Sequence, residues 1–172
     1  MIEKLKECSK SKDYDALLKE TSHYMGHKKK VAHKRVLDQL DDELLAYSTM
    51  ETISREKAIA FEVVVEDQST EKLSKQHCFL EMYTIVLDNA VEAAKNANLR
   101  YVKIVFGNNA VIIENTYAEN DLFQLQDKVS LKGYKRRING LKLLDYLERE
   151  SNIAVSVDVS YRVIVSLEVD YA

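Results

Sequence analysis

Two stretches of the chain, YVKIVFGNNAVIIENT at 101–116 and IAVSVDVSYRVIVSLEV at 153–169, alternate apolar and polar residues and are rich in β-branched side chains. A period of two sends the apolar side chains to one face, so each stretch must lay that face on something dry and leave the other wet. The first reads as two strands joined by a Gly-Asn-Asn turn, since Gly and Asn tolerate the positive φ that hairpin turns demand. The second reads as a strand pair with a short turn near Ser160 and Tyr161. A further alternating run, AFEVVVE at 60–66, adds a strand ahead of both.

Between these runs the apolar period changes to that of a helix. KDYDALLKETSHYM (12–25) has Asp13 as an N-cap candidate, with Tyr14, Leu17 and Leu18 on one side. Residues 36–59 are expected to form one long helix on Val36, Leu37, Leu40, Leu44, Leu45, Tyr47, Met50 and Ile53. Residues 78–98 and 138–151 complete the set, the last with Leu141, Leu144 and Leu147 as its stripe. Each helix has a single apolar stripe and the strands alternate. The chain is therefore expected to be an α/β (α+β) two-layer sandwich, a mixed sheet covered on one face by helices, with an N-terminal helical appendage.

Composition narrows the function classes. With 172 residues, 46% hydrophobic and 31% charged, the chain can bury one core of ordinary size. No run approaches the ~20 apolar residues of a membrane span, and the first residues contain no apolar signal-peptide core. A net charge of −3 offers no general attraction to nucleic acid or to an anionic membrane. The basic run HKKKVAHKR (27–35) is read as a solvated face. Cys8 and Cys78 stand far apart and fit no metal-ligand spacing, which points to reduced thiols in the cytoplasm and no structural zinc. Proline is absent and glycine occurs four times, and two of those glycines, Gly133 and Gly140, bracket the basic segment KGYKRR (132–137).

VLDNAVEAAKNA (86–97) raises a chemical question. Leu87, Ala90, Val91 and Ala94 form its buried stripe, while Asn89, Glu92 and Asn96 share another face at i, i+3, i+7. Such a face is either the wet side of a helix or a directed ligand site. An amide carbonyl is a hard oxygen suited to Mg²⁺, whose octahedral shell is completed by water and phosphates. A basic, glycine-framed loop leading into a helix N-terminus downstream would suit those phosphates.

LDNAVEA (87–93) resembles the N-box of the GHKL ATPase superfamily, in the form found in peptide-pheromone (quorum-sensing) receptor histidine kinases. VIIENT (111–116) is similar to the strand end that carries Asn in that subfamily, and SLKGYKRRINGLKLL (130–144) resembles its nucleotide lid. The three motifs occur in the family's order over about residues 36–170. The resemblance implies a Bergerat-type domain at 35–172 that binds ATP and Mg²⁺, preceded at 1–34 by the remnant of a dimerising helical hairpin. Asn89 matches the ligand of Mg²⁺ and, through it, of the phosphates, with Glu92 beside it. Asn115 matches the adenine contact. Lys132, Gly133, Arg137 and Gly140 match lid positions around the phosphates, with Arg136 and Leu141 adjoining, and Asn89, Lys132 and Arg137 would carry the transfer step.

Two departures shape the expected activity. Ile138 and Asn139 precede Gly140 where the family shows a Gly-x-Gly junction, leaving Lys135 and Arg136 to supply added positive charge. None of His23, His27, His33 or His77 is followed by the acidic residue that holds a phosphoacceptor imidazole in its tautomer. The expected reaction is thus transfer of the γ-phosphoryl group to a histidine on a dimerisation helix outside this chain, with a response regulator downstream, a homodimer conceivable through the hairpin, and membrane contact only through an N-terminal sensor region. Ile85 occupies the position where a water-activating GHKL ATPase carries a carboxylate. The competing expectation is a non-catalytic GHKL-fold dimerisation or adaptor protein with a degenerate nucleotide site.

Overall fold

A computed structural model describes residues 31–66, 71–107, 109–118 and 141–169. The chain divides into two compact units, Met1–Arg35 and Val36–Ala172. Of the first, residues 31–35 are described and helical; the helix expected at 12–25 with Asp13 as its cap lies outside the described residues.

In the second unit the described elements are α1 (Glu43–Arg55), β1 (Ala60–Val65), α2 (Glu71–Ser74), α3 (Phe79–Lys95), β2 (Tyr101–Phe106), β3 (Ala110–Asn115), α4 (Leu141–Glu150), β4 (Ile153–Val159) and β5 (Val163–Val169). The strands form one mixed sheet in the order β1-β2-β3-β5-β4. β1 and β2 run parallel, with α2 and α3 as the crossover that a parallel pair requires. The other neighbours are antiparallel, and both hairpins fall where the alternation puts them.

One face of the sheet is dry. Val63, Val102, Ile104, Phe106, Val111, Ile113, Val163, Val165 and Leu167 are buried under the helices. α3 lies over this face with Phe79, Met82, Tyr83, Val86, Leu87, Ala90, Val91 and Ala94 buried. Burial of each large side chain contributes roughly 1.5–3 kcal/mol, so α3 is the central beam of the domain. The opposite face carries Glu62, Tyr101, Lys103, Glu114 and Arg162. Lys103 Nζ lies 3.1 Å from Glu62, and Arg162 pairs with Glu114 while stacking 4.8 Å over the Tyr101 ring. Tyr101 also donates to Glu62, and burial together with that carboxylate pushes its phenol up to about 12.

The long helix expected at 36–59 is broken. A helical stretch ends at residue 37, a turn follows, and α1 starts afresh after Asp42, whose carboxylate accepts from the Leu45 amide at 3.0 Å. An Asp N-cap satisfies a helix-end donor that a continuous helix would not expose, and that tips the segment to two pieces. The break also shifts the phase. Leu37, Leu40 and Leu45 are buried, but Leu44 and Tyr47 are 67% and 69% exposed, and Thr49 and Thr52 are buried instead. Thr49 is tolerated because its hydroxyl donates to the Leu45 carbonyl at 2.7 Å and lies 2.6 Å from the buried Tyr83 hydroxyl.

The β2–β3 turn stands where it was expected, closed by the Gly107 amide donating to the Ala110 carbonyl at 2.9 Å; neither Gly107 nor Asn109 has a positive φ, and Asn108 lies outside the described residues. Among the described residues only Cys78, at φ 67°, is left-handed, at the position preceding α3.

Candidate functional site

Asn89 lies near the middle of α3, between its buried and exposed faces. Its amide nitrogen Nδ2 is buried and has no hydrogen-bond partner among the described residues. A buried amide N–H without an acceptor costs roughly 1–3 kcal/mol, so this one calls for an acceptor other than the described residues. The face expected to hold Asn89, Glu92 and Asn96 together is not uniform. Glu92 is exposed with its carboxylate 3.8 Å from Lys95 Nζ, and Asn96 turns back to donate to the Glu92 carbonyl at 3.1 Å, capping its own helix. Of the three, Asn89 alone is drawn inward.

The two flanks of α3 differ. Ser151, just beyond α4, touches Met82 Sδ at 3.6 Å, and Met82 stands two turns before Asn89 on the same flank. α4 therefore packs on the Asn89 side. Asp88, about 100° further round, faces the end of α1, where Arg55 reaches it at 3.3 Å. Lys95, also on that side, bonds Glu56 at 3.2 Å, and Glu56 accepts from Arg55 at 3.1 Å. Burial raises the Glu56 carboxyl, but the hydrogen bonds from Arg55 and Lys95 outweigh it and hold the group below its ordinary value.

Asn115 is the last residue of β3 and 2% exposed. It is paired with Val102 on one side and Val163 on the other, which puts its side chain on the helix-covered face with theirs. Its Nδ2 donates to the Thr116 carbonyl at 2.9 Å. Asn115 and Asn89 thus both belong to the layer between sheet and helices. Ile85, one turn before Asn89, packs against the core, so no carboxylate stands there. Lys132, Gly133, Arg136, Arg137 and Gly140 lie outside the described residues. Leu141 opens α4.

Sequence reading missed the residues around Asn115. Thr116 accepts from the Tyr101 amide at 3.1 Å and donates to the Leu99 carbonyl, while Tyr117 donates to the Ser160 carbonyl. A Thr and a Tyr after a strand end resemble any turn entrance, and no local pattern marks them.

The hard oxygen donor that the motif offers here is the Asn89 amide. Among the described residues no group of three or more His, Cys, Asp or Glu could cage a metal. Mg²⁺ bound with a nucleotide takes one or two protein oxygens and fills its shell with phosphate and water, for which one amide oxygen is the right kind of ligand.

No protein-family model matches the chain, and no curated protein does. Similar solved structures include the cytoplasmic segment of histidine kinase QseC, 13% identical with a TM-score of 0.48 over 90% of this chain and 91% of that one. The nucleotide-free catalytic domain of histidine kinase ThkA is 16% identical with a TM-score of 0.43 over 74% and 91%. At these values the likeness is one of outline, and function rests on the residues. No described helix is long and apolar enough to cross a membrane.

Proposed function

We propose that this chain is the ATP- and Mg²⁺-binding catalytic domain of a two-component sensor histidine kinase, transferring the γ-phosphoryl group of ATP to a histidine carried by a dimerisation helix outside these 172 residues. Mg²⁺, when bound, neutralises phosphate charge and aligns the triphosphate for in-line transfer. Asn89 would offer Oδ1 to the metal and its unpartnered Nδ2–H to a phosphate oxygen, with Glu92 at the outer rim. Asn115 has Nδ2 engaged by Thr116, leaving Oδ1 as an acceptor. Adenine presents an amine donor at its six position where guanine presents a carbonyl, so an acceptor there favours ATP. Lys132 and Arg137 would stabilise charge on the γ-phosphoryl group, and Gly133, Arg136, Gly140 and the α4 end at Leu141 would complete the phosphate cradle.

The observation that carries this reading is the buried amide nitrogen of Asn89 within LDNAVEA, which has no partner among the described residues and lies on the flank where α4 packs. A non-catalytic dimerisation or adaptor protein on the same fold would leave that amide without a task. The N-box form further suggests a peptide-pheromone receptor, with the domain on the cytoplasmic side and a response regulator as onward acceptor. Calorimetric titration of ATP with Mg²⁺ into the wild-type chain and Asn89→Ala tests the assignment. Binding is expected in the first and roughly ten- to hundredfold weaker binding in the second; equal binding by both refutes it.

A further inference from the structure

We propose that Tyr117 is a positioning residue for base recognition, fixing the end of β3 so that the Asn115 amide presents its oxygen to the amine of adenine; the proposal rests on the nucleotide reading above. Asn115 is the last residue of β3 in the ladders on both sides, and strand ends open more readily than strand centres. On the β2 side the exit is held by Thr116, whose amide donates to the Tyr101 carbonyl at 3.1 Å and whose hydroxyl is bonded to the Tyr101 amide and the Leu99 carbonyl. On the β5 side the described contact that takes over is Tyr117, its ring packed against the core and its hydroxyl donating to the Ser160 carbonyl in the β4–β5 turn.

The link to Asn115 is geometric. Asn115 Nδ2 donates to the Thr116 carbonyl, and that carbonyl belongs to the rigid peptide plane joining Thr116 to Tyr117. Anchoring Tyr117 fixes the plane, the plane fixes which way the Asn115 amide turns, and the amide oxygen is left facing the base. Burial raises the Tyr117 phenol above its ordinary value, so it remains a donor through neutral pH.

Affinities of Mg²⁺-ATP and of the triphosphate of purine riboside, which lacks the six-amino group, are measured for wild type, Tyr117→Phe, Asn115→Ala and the double variant. Tyr117→Phe is expected to weaken ATP roughly two- to tenfold, the range of one hydrogen bond, to leave the affinity of the purine riboside triphosphate unchanged, and to add nothing in the Asn115→Ala background. Equal losses for both nucleotides, additivity with Asn115→Ala, or an unchanged ATP affinity would each overturn the proposal while sparing the nucleotide site. A wild-type chain that binds neither nucleotide overturns both. Should Asn115→Ala fail to fold, the two-nucleotide comparison in Tyr117→Phe decides alone.

Discussion

The two flanks of α3 are built from similar polar residues and end in opposite condition. Towards α1, Asp88 and Lys95 find Arg55 and Glu56, and the charges close on one another within the protein. Towards α4, Asn89 is drawn into the fold and its amide nitrogen meets no acceptor among the described residues. The first flank spends its polar groups on joining two helices. The second leaves one without a partner among the described residues, at a cost to stability that calls for an explanation, and the proposed nucleotide site supplies one.

The sharpest way to break this comparison is at Asn89. Asn89→Ala should lower Mg²⁺-ATP affinity roughly ten- to hundredfold, the worth of hydrogen bonds to a charged ligand. Thermal unfolding without nucleotide should not become easier, because the deleted amide nitrogen satisfies nothing among the described residues; a lower melting temperature without nucleotide would make Asn89 structural.

Next in size is Thr49→Val, which strands the buried Tyr83 hydroxyl. Urea unfolding should show a loss of about 1–3 kcal/mol, with nucleotide affinity of the folded protein unchanged. A matching loss of affinity would mean that the α1 side also shapes the ligand site.

Smallest is the ion cluster. Glu56→Gln should cost at most about 1 kcal/mol, less at high salt, since Arg55 and Lys95 are largely exposed. The Glu56 carboxyl is depressed when folded, so its contribution is full above its ordinary value of 4.5 and is lost as pH falls through the folded value. Comparing melting curves of wild type and Glu56→Gln, the difference should be present at pH 7 and should shrink below about pH 4.5. A difference independent of pH would assign the residue a packing role.

Much of the architecture was legible because periodicity survives in a sequence without reference to neighbours. The alternation at 101–116 and 153–169 marked both hairpins, and the stripe of α3 named Leu87, Ala90, Val91 and Ala94, all four buried, though not Phe79, Met82, Tyr83 and Val86. The helix at 36–59 failed for a local reason: Asp42 reads as one more charge on a wet face until its carboxylate is found on the Leu45 amide. Leu44 and Tyr47 then went to the wrong side, and Thr49 was overlooked because its burial depends on Tyr83, 34 residues away. At the candidate site the sequence picked out Asn89 and Asn115 by motif, but it grouped Glu92 and Asn96 with Asn89 although one leans to Lys95 and the other caps the helix.

The sequence by itself determined the five strands, the helices α3 and α4 with their apolar stripes, and which two asparagines stand out, since these follow from spacing and side-chain chemistry along the chain. Tertiary structure alone decided that the Asn89 amide nitrogen is buried without a partner among the described residues while Asp88 is paired, and that Thr116 and Tyr117 bond to Tyr101, Leu99 and Ser160. Whether a polar group is satisfied depends on atoms brought within 3 Å from distant parts of the chain, and no pattern of neighbours in sequence encodes that distance.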